Sequence, residues 1–259
     1  MAAHLTNVST EPATRQVPQG EVPEAFDEVA DRYDLMVALN PGYHAHLRSS
    51  AAALAASLGS RIDAHVVDLG CGSGASTRAL VDELRRGGVR GEVLGVDGSA
   101  GILAQAERKQ WPAGVRFAHG RAEALTSVCA EAGFAGPLDG VFAAYLLRNV
   151  PDRDALLRSL HDQLRPGGVL VVHEYSVAGR PVSQAVWTAV CRGVVVPLGW
   201  VTSRRTRLYH YLWRSVMDMD TVETVMQRML DAGFEDVRTR SVRGWQRGII
   251  HTFHARKPG

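Results

Sequence analysis

The sequence predicts an α/β fold: a doubly wound, mostly parallel sheet with helices on both faces and an antiparallel edge strand at its C-terminal end. Apolar, β-branched runs of strand length alternate with helix-like stretches from Val66 onward. Near-continuous apolar strands separated by helices are typical of a parallel sheet that is buried on both faces. Two further strand-like runs near the C-terminus are joined by a short link, which predicts a hairpin and hence the antiparallel strand.

Strand candidates and helix signals follow one another in the order that this fold requires. Ser76 and Thr77 open the first helical pattern, Ser99 caps the second, and Asp152 or Asp154 starts the third. Further along, a Trp-, Val-, Tyr- and Arg-rich helical stretch precedes an amphipathic helix. Strands are expected at 65–70, 92–97, 115–120, 139–145 and 168–175, and the C-terminal pair within 234–242 and 248–257.

Most of the 259 residues are expected in one domain, because a chain that is 46% hydrophobic can build one full core. We expect a mobile, polar tail over 1–22, without the apolar centre of a signal peptide, and a single domain over 23–259. Within that domain, 23–58 are predicted to form lid helices and 181–218 a helical substrate cover. The apolar stretch AVWTAVCRGVVVPLGWV falls short of the roughly 20 apolar residues of a membrane span.

Charge and cysteine content exclude some classes of function. A net charge of +2 gives no electrostatic reason to expect nucleic-acid binding. The three cysteines, Cys71, Cys129 and Cys191, lie far apart without a CxxC pair, which favours a reducing, cytoplasmic location. His251 and His254 point to opposite faces of a predicted strand, so we expect no metal site.

The turn in VVDLGCGSGAS, residues 66–76, is the strongest local signal in the sequence. Gly70, Gly72 and Ala75 satisfy GxGxxA, which on its own permits a dinucleotide. Asp68, however, lies inside the strand two residues before the first glycine, where a carboxylate suits a cationic group better than a pyrophosphate. No Lys-Ser/Thr pair follows the turn, so it is not a P-loop.

Asp97, at the end of the second predicted strand, is placed to accept hydrogen bonds from a ribose diol. A ligand with a cationic amino-acid end and a ribose end would use both Asp68 and Asp97, and S-adenosylmethionine has these two ends. The competing interpretation is that Asp68 caps a turn and Asp97 caps the next helix.

The segments VVDLGCGSGAST, GVDGS, GRAEAL and LRPGGVLVVHE together resemble class I S-adenosylmethionine-dependent methyltransferases over about residues 60–175. This resemblance implies a Rossmann-like fold and S-adenosylmethionine as the cofactor. It implies backbone contacts from the glycine turn, ribose binding by Asp97 and adenine binding near Arg121 and Ala122. The expected cofactor-binding residues are Asp68, Gly70, Cys71, Gly72, Ser73, Gly74, Asp97, Gly98, Arg121, Ala122 and Tyr145.

A narrower resemblance runs from about Phe26 to Pro258. AFDEVADRYDLMVAL, YLLRNVPDRDALLRSLHDQLRPGG and MLDAGFEDVRTRSVRGWQRGIIHTFHARKP are similar to segments of the ubiquinone/menaquinone-biosynthesis C-methyltransferases. It implies that Tyr33 lies in a lid over the cofactor and that Arg148 and Asn149 face the substrate. The chain departs from the family pattern at Ala75, where relatives carry a carboxylate, and at Arg121, which is a donor only.

Carbon methylation assigns roles to the polar residues after the later strands. Arg148 is expected to stabilise a phenolate or to orient a water, and Asn149 to fix a ring oxygen. His173 or Glu174 is a candidate base, although a packed or hydrogen-bonded His173 fits the sequence equally well. In the alternative interpretation, Arg148 and Asn149 form a helix-start network with Asp152 and Asp154. The residues expected to contact substrate are His173, Tyr209 and Trp213, beside the catalytic candidates Arg148, Asn149 and Tyr33.

The leading hypothesis is therefore S-adenosylmethionine-dependent C-methylation of an aromatic, quinol or isoprenoid small molecule. A specialised-metabolite C- or O-methyltransferase and a non-catalytic cofactor-fold binding protein are the alternatives. The basic residues Arg204, Arg205 and Arg207 leave a peripheral membrane contact open, and a homodimer also stays open.

Overall fold

The computed structural model describes residues 42–134, 136–197 and 207–259, with side chains from residue 210 in the last range. The predicted tail over 1–22, the first part of the predicted lid, and Tyr33 lie outside the described residues. So do Arg204, Arg205 and the side chain of Tyr209.

The described residues form one seven-stranded sheet with the strand order β3-β2-β1-β4-β5-β7-β6. Strands β1 to β5 pair in parallel, whereas β7 runs antiparallel to both β5 and β6. The predicted mostly parallel sheet with an antiparallel C-terminal strand is therefore confirmed, with the reversed strand one place inside the edge. The strands are β1 (Ala64–Leu69), β2 (Gly91–Asp97), β3 (Val115–His119), β4 (Leu138–Ala144), β5 (Leu164–Tyr175), β6 (Glu235–Ser241) and β7 (Ile250–Arg256).

Helices cover both faces of this sheet, as the uninterrupted apolar strands require. In β1, Val67 and Leu69 belong to one apolar cluster and Val66 to the cluster on the other face. The described helices are α1 (Tyr43–Leu58), α2 (Ala75–Arg86), α3 (Ala100–Glu107), α4 (Leu125–Glu131), α5 (Arg153–Gln163), α6 (Pro181–Val190), α7 (Arg207–Met217) and α8 (Val222–Asp231).

Helix α1 belongs to the core, although the sequence analysis placed it among lid helices. Its residues Leu47, Ala51 and Leu54 are fully buried at helical spacing and pack with α2 and strand β5. A lid helix would leave this stripe exposed when open, which would expose apolar area that the fold buries. The second half of the predicted lid segment therefore supports the sheet.

The helix starts show which capping signals the chain uses. Ser99 accepts a hydrogen bond from the Ile102 amide at 3.2 Å, and Asp152 accepts one from Ala155 at 2.8 Å, so both predicted caps are confirmed. Ser76 and Thr77 lie inside the first turn of α2 and do not open the helix.

The predicted substrate cover over 181–218 contains α6, a short π-helix at Cys191–Val195 and α7. Trp187 and Cys191 are buried against Tyr175 and Val216, so part of this segment packs as ordinary core. Among the helices of the described ranges, none is both long and apolar enough to cross a membrane.

Candidate active site

The glycine turn joins β1 to α2 through three left-handed backbone positions. The φ angles are +74° at Gly70, +54° at Gly72 and +88° at Gly74, a region that side-chain-bearing residues rarely adopt. A Cβ at Gly70 would lie 3.0 Å from the Leu146 side chain, and one at Gly74 would lie 2.7 Å from the ring of Trp111. Both the conformation and the space therefore select glycine, and the backbone of the turn is open to close approach by a ligand.

Asp97 ties the end of β2 to the glycine turn. Its Oδ2 accepts the Gly72 amide at 2.8 Å, and its Oδ1 accepts the Ser99 amide at 2.9 Å. The carboxylate therefore orders the turn and the start of α3 together, and it also lines the cavity described below. Each carboxylate oxygen has two acceptor positions, so this role is compatible with binding a diol.

Asp68 lies beneath the turn and does not line the cavity, contrary to the expectation that it faces the site. Its side chain is fully buried, and Oδ2 accepts the hydroxyls of Ser76 at 2.7 Å and Thr77 at 2.6 Å. Burial raises the pKa of Asp68 to about 7, against the lowering effect of these hydrogen bonds. It is thus an anchor for the first turn of α2.

Three other residues of the predicted cofactor set also lie behind the turn. The side chains of Cys71 and Ser73 are buried, and Ser73 offers its carbonyl oxygen to Lys109 Nζ at 2.8 Å. Gly74 faces Trp111. These residues shape the turn from below, and neither Cys71 nor Ser73 lines the cavity.

A cavity opens at the carboxyl ends of β1, β2 and β4, where ligands bind in open parallel sheets. Its lining brings together residues that the sequence analysis proposed for cofactor and for acceptor. Of the predicted residues it contains Gly70, Gly72, Asp97, Gly98, Arg121, Ala122, Tyr145, Arg148 and Asn149.

Arg121 and Ala122 lie at the side of the cavity that follows β3. Arg121 is partly exposed and is 3.7 Å from the Glu123 carboxylate. Ile102 of α3 and Ala122 add apolar wall beside Asp97. This part of the lining is suited to a flat ring system next to a hydroxylated sugar.

Tyr145 makes the sharp turn that carries the next two site residues. Its φ angle is +58°, which is uncommon for a bulky residue. The turn aims its carbonyl oxygen at two side chains, because it accepts Arg148 Nη1 at 2.5 Å and Asn149 Nδ2 at 3.4 Å. Burial raises the pKa of the Tyr145 phenol well above its ordinary value, so the hydroxyl stays protonated.

Arg148 forms a buried ion pair with Glu174 at the end of β5. Arg148 Nη1 is 2.9 Å from Glu174 Oε1, and the two side chains are 6% and 0% exposed. Glu174 also accepts the backbone amides of Arg148 and Tyr175. Burial is the largest single influence and tends to lower the pKa of Arg148, but Glu174, Tyr175 and Tyr211 together outweigh it and the pKa is raised overall. A permanent positive charge therefore stands at the wall of the cavity.

The alternative network of Arg148 and Asn149 with Asp152 and Asp154 is not formed. Asp152 caps α5, and Asp154 accepts both of its hydrogen bonds from Arg228 at 2.6 Å. Other groups occupy the acidic residues of α5, whereas Arg148 bonds to Glu174 and Asn149 bonds to Tyr145 and Tyr211.

Asn149 is held by two partners. Besides donating to Tyr145, its amide accepts the Tyr211 hydroxyl at 3.0 Å, so helix α7 contacts the cavity wall directly.

His173 is a structural residue in this arrangement. It is fully buried, with Nδ1 2.9 Å from Thr252 Oγ1 and Nε2 3.2 Å from the Tyr145 hydroxyl. Burial lowers the pKa of His173 to about 3, so the ring stays neutral and is a poor base. Neither His173 nor Trp213 lines the cavity, and Trp213 packs on α6 by donating to Thr188 at 3.2 Å. Their contacts with a substrate stay a prediction.

Sequence reasoning named Glu174 only as a candidate base and did not select Tyr211 as a site residue. A charge inside the apolar run GVLVVHEY was the available signal for Glu174, because a charge buried in a strand requires a partner. Tyr211 lies 62 positions from Asn149, and no pattern in the sequence indicates this pairing.

Comparisons with known proteins agree with this geometry. Residues 14–257 match the model of the ubiE/COQ5 methyltransferase family. The chain is 31% identical to the demethylmenaquinone methyltransferase of Lactiplantibacillus plantarum over 82% of its length and 86% of the relative. It is 32% identical to the protein of the same description from Beutenbergia cavernae, over 92% and 91% of the two chains.

Solved structures of methyltransferases share the fold at low sequence identity. The plantazolicin methyltransferase BamL, in complex with S-adenosylhomocysteine and a substrate analogue, superposes with a TM-score of 0.64 at 14% identity, covering 93% of this chain and 95% of that one. Magnesium protoporphyrin IX methyltransferase from Synechocystis PCC 6803, also with S-adenosylhomocysteine, gives 0.60 at 17% identity, covering 92% and 99%. Family match and site geometry agree: the chain belongs to the ubiE/COQ5 methyltransferase family and is an S-adenosylmethionine-dependent methyltransferase.

Proposed function

We propose that the protein methylates a ring carbon of a hydroxylated aromatic acceptor, a quinol of the demethylmenaquinone type. The observation that carries this proposal is the buried Arg148–Glu174 pair beside Asn149 at the wall of the cavity. Two hydrogen-bond donors at one wall suit an acceptor oxygen that carries negative charge. The names of the family relatives, demethylmenaquinone methyltransferases, support the quinol as the first acceptor to test.

The cofactor half of the site fits S-adenosylmethionine. The backbone at Gly70 and Gly72 lines the cavity where the amino-acid end would lie, Asp97 suits the ribose, and Ile102 with Ala122 suits the adenine. Once bound, the cofactor supplies an electrophilic methyl group on a positively charged sulfur. What the chain must add is alignment of the acceptor carbon with that methyl group, and exclusion of water.

Arg148 favours the ionised form of the acceptor. An ionised ring hydroxyl pushes electron density onto the neighbouring ring carbons, and a fixed guanidinium charge stabilises that anion. Glu174 holds the guanidinium in place, because its carboxylate accepts hydrogen bonds from both the side chain and the backbone amide of Arg148. Because His173 is neutral and outside the lining, we assign no proton transfer to it.

The test is methyl transfer to demethylmenaquinol with a short prenyl chain, kept reduced with dithionite and supplied with labelled S-adenosylmethionine. A C-methylated product keeps both hydroxyls and reoxidises in air to a methylated quinone, whereas an O-methyl ether does not. We expect the reoxidisable product. A labelled ether would establish O-methylation, and no label transfer to the quinol would refute this acceptor.

Arg148→Lys tests the residue in the same assay. It keeps the charge and loses the planar fork that reaches Tyr145 and Glu174, so turnover should fall by at least about tenfold with cofactor affinity retained. Arg158→Lys, an exposed change on α5, is the matched control and should retain full turnover. Equal turnover in both variants would remove Arg148 from the mechanism.

A cytoplasmic location belongs to the same proposal. The cysteines Cys71, Cys129 and Cys191 are all free and buried, which supports a reducing compartment. Peripheral contact with a membrane is the natural way to reach a prenylated acceptor and is part of what we propose for the full chain.

A further inference from the structure

The side-chain amide of Asn149 is oriented by two partners that agree with each other. The Tyr145 carbonyl is an acceptor only, so the amide atom 3.4 Å from it is the nitrogen Nδ2. The Tyr211 hydroxyl lies 3.0 Å from the other amide atom, Oδ1. A reversed amide would place an oxygen against a carbonyl oxygen, so the Tyr145 contact fixes the orientation and leaves Oδ1 facing the Tyr211 hydroxyl.

Tyr211 is the donor in its contact with Asn149. Burial raises the pKa of Tyr211 above its ordinary value, so the phenol keeps its proton over the range in which the protein works. A neutral hydroxyl that faces an amide oxygen donates to it. Asn149 Oδ1 therefore accepts a hydrogen bond from a residue of helix α7.

The amide is then left with an N–H group to offer to the cavity. An asparagine nitrogen carries two N–H groups, and the Tyr145 carbonyl takes one of them. Asn149 lines the cavity, so the group it contributes there is a donor. A donor suits an ionised oxygen, whereas an amide oxygen in the same place would favour a protonated hydroxyl.

We propose that Tyr211 is a positioning residue: by holding Asn149 Oδ1, it makes Asn149 a hydrogen-bond donor to an ionised ring hydroxyl of the acceptor. The inference rests on the proposed function and sharpens it, because it places the acceptor oxygen at Asn149 and assigns the ionised form to it. It also gives helix α7 a part in the chemistry as well as in covering the site.

The first test is Tyr211→Phe, which removes the hydroxyl and keeps the ring. With demethylmenaquinol as acceptor, kcat should fall about tenfold, the effect of losing one oriented hydrogen bond, and the affinity for S-adenosylmethionine should be unchanged. The rising limb of kcat against pH should move up by roughly half a unit to one unit, because the acceptor hydroxyl loses a bond that favours its ionised form.

Ser215→Ala is the matched control for this variant. It removes another hydroxyl from α7, one whose single partner among the described residues is the Leu212 carbonyl of its own helix. The kcat and pH profile of Ser215→Ala should equal those of the wild type. If Tyr211→Phe slows turnover with no movement of the pH limb, Tyr211 supports the helix alone and the proposal fails.

A double-variant cycle tests whether Tyr211 acts through Asn149. In an Asn149→Ala background, Tyr211→Phe should cause little further loss, because the amide that it orients is gone. Fully additive losses would contradict the proposed route.

One measurement is independent of the acceptor. The chain contains three asparagines, Asn7, Asn40 and Asn149, so selective ¹⁵N-asparagine labelling gives three side-chain amide signals, and Asn149→Asp assigns the one of interest. That signal should shift in Tyr211→Phe and stay in place in Ser215→Ala. No shift would overturn the positioning role even if the quinol is methylated, whereas a shift in a protein that does not methylate the quinol would refute only the acceptor assignment.

Discussion

The two halves of the cavity, which we assign to the cofactor and to the acceptor, are built in different ways. The cofactor half is made of backbone close together in sequence, with the Gly72 amide held by the carboxylate of Asp97 at the end of the next strand. The acceptor half is made of side chains from distant parts of the chain. Arg148 meets Glu174 across 26 positions, and Asn149 meets Tyr211 across 62.

The two halves also differ in the strain and the buried charge that the fold must offset. Glycine adopts the left-handed turn without steric strain, so the backbone of the cofactor half needs little compensation. In the acceptor half, Tyr145 takes a left-handed conformation with a full side chain, and a fully buried carboxylate needs a cation. The comparison teaches that the cofactor half tolerates changes that keep its glycines, whereas the acceptor half depends on intact pairs.

The largest expected effect is the removal of one partner from the buried ion pair. Arg148→Met should lower the free energy of unfolding by about 3–5 kcal/mol, because Glu174 is left as an uncompensated buried charge. Urea unfolding followed by circular dichroism measures this loss.

The double change Arg148→Met with Glu174→Met provides the control. Replacing both charges by apolar side chains should restore most of the stability and none of the methyl transfer, which separates the structural role from the catalytic one. A single variant as stable as the wild type would mean that the pair is solvated and not buried.

The next largest expected effect is on the pH dependence of stability, through Asp68 in the cofactor half. The pKa of Asp68 is raised from 3.8 to about 7 in the folded protein, so its contribution to stability is fully present below pH 4 and is lost as pH rises toward 7. Asp68→Asn removes this dependence while keeping an acceptor for Ser76 and Thr77. Relative to the wild type, the variant should therefore gain stability between pH 4 and 7, by no more than about 4 kcal/mol. The free energy of unfolding of both proteins is measured at intervals of half a pH unit. A constant difference between the two proteins from pH 4 to pH 7 would contradict this prediction.

A smaller effect is expected from a single methyl group in the glycine turn. Gly70→Ala places a Cβ 3.0 Å from Leu146 at a φ of +74°, which costs about 1–2 kcal/mol in strain and should weaken S-adenosylmethionine binding in calorimetry. Gly193→Ala is the control, because its Cβ would meet nothing within 4 Å and its φ is not left-handed. It should leave binding unchanged. Equal affinities for the two variants would show that the turn does not approach the cofactor.

The smallest effect is the loss of a helix cap. Ser99→Ala removes the acceptor for the Ile102 amide and should lower stability by about 1 kcal/mol, measured by thermal unfolding. Ser127→Ala, an exposed hydroxyl that bonds to Ala124, is expected to have a smaller effect. A loss for Ser99→Ala no larger than that of the control would mean that α3 does not depend on its cap.

Prediction from sequence succeeded where the cause is local. Strands β1 and β2 begin and end within one residue of their predicted bounds, because apolar runs between turn signals specify buried strands directly. Ser99 and Asp152 cap as expected because capping involves only neighbouring residues. It failed for Ser76 and Thr77, whose hydroxyls bond to Asp68 eight and nine positions away. It also placed α1 among lid helices, whereas Leu47 and Leu54 are buried in the core, because the sequence does not indicate which elements a helix packs against.

By itself, the sequence determined the fold class and the glycine turn, because each is a short-range pattern with a physical cause of its own. It predicted Asp97 as a site residue from its place at a strand end, and the Arg148–Asn149 loop from the resemblance to a family. Only the tertiary structure decided what the side chains do. It turned Asp68 under the turn, withdrew His173 and Trp213 from the cavity, and paired Arg148 with Glu174. These outcomes depend on which distant strands and helices become neighbours, and on which charges must then be compensated away from water.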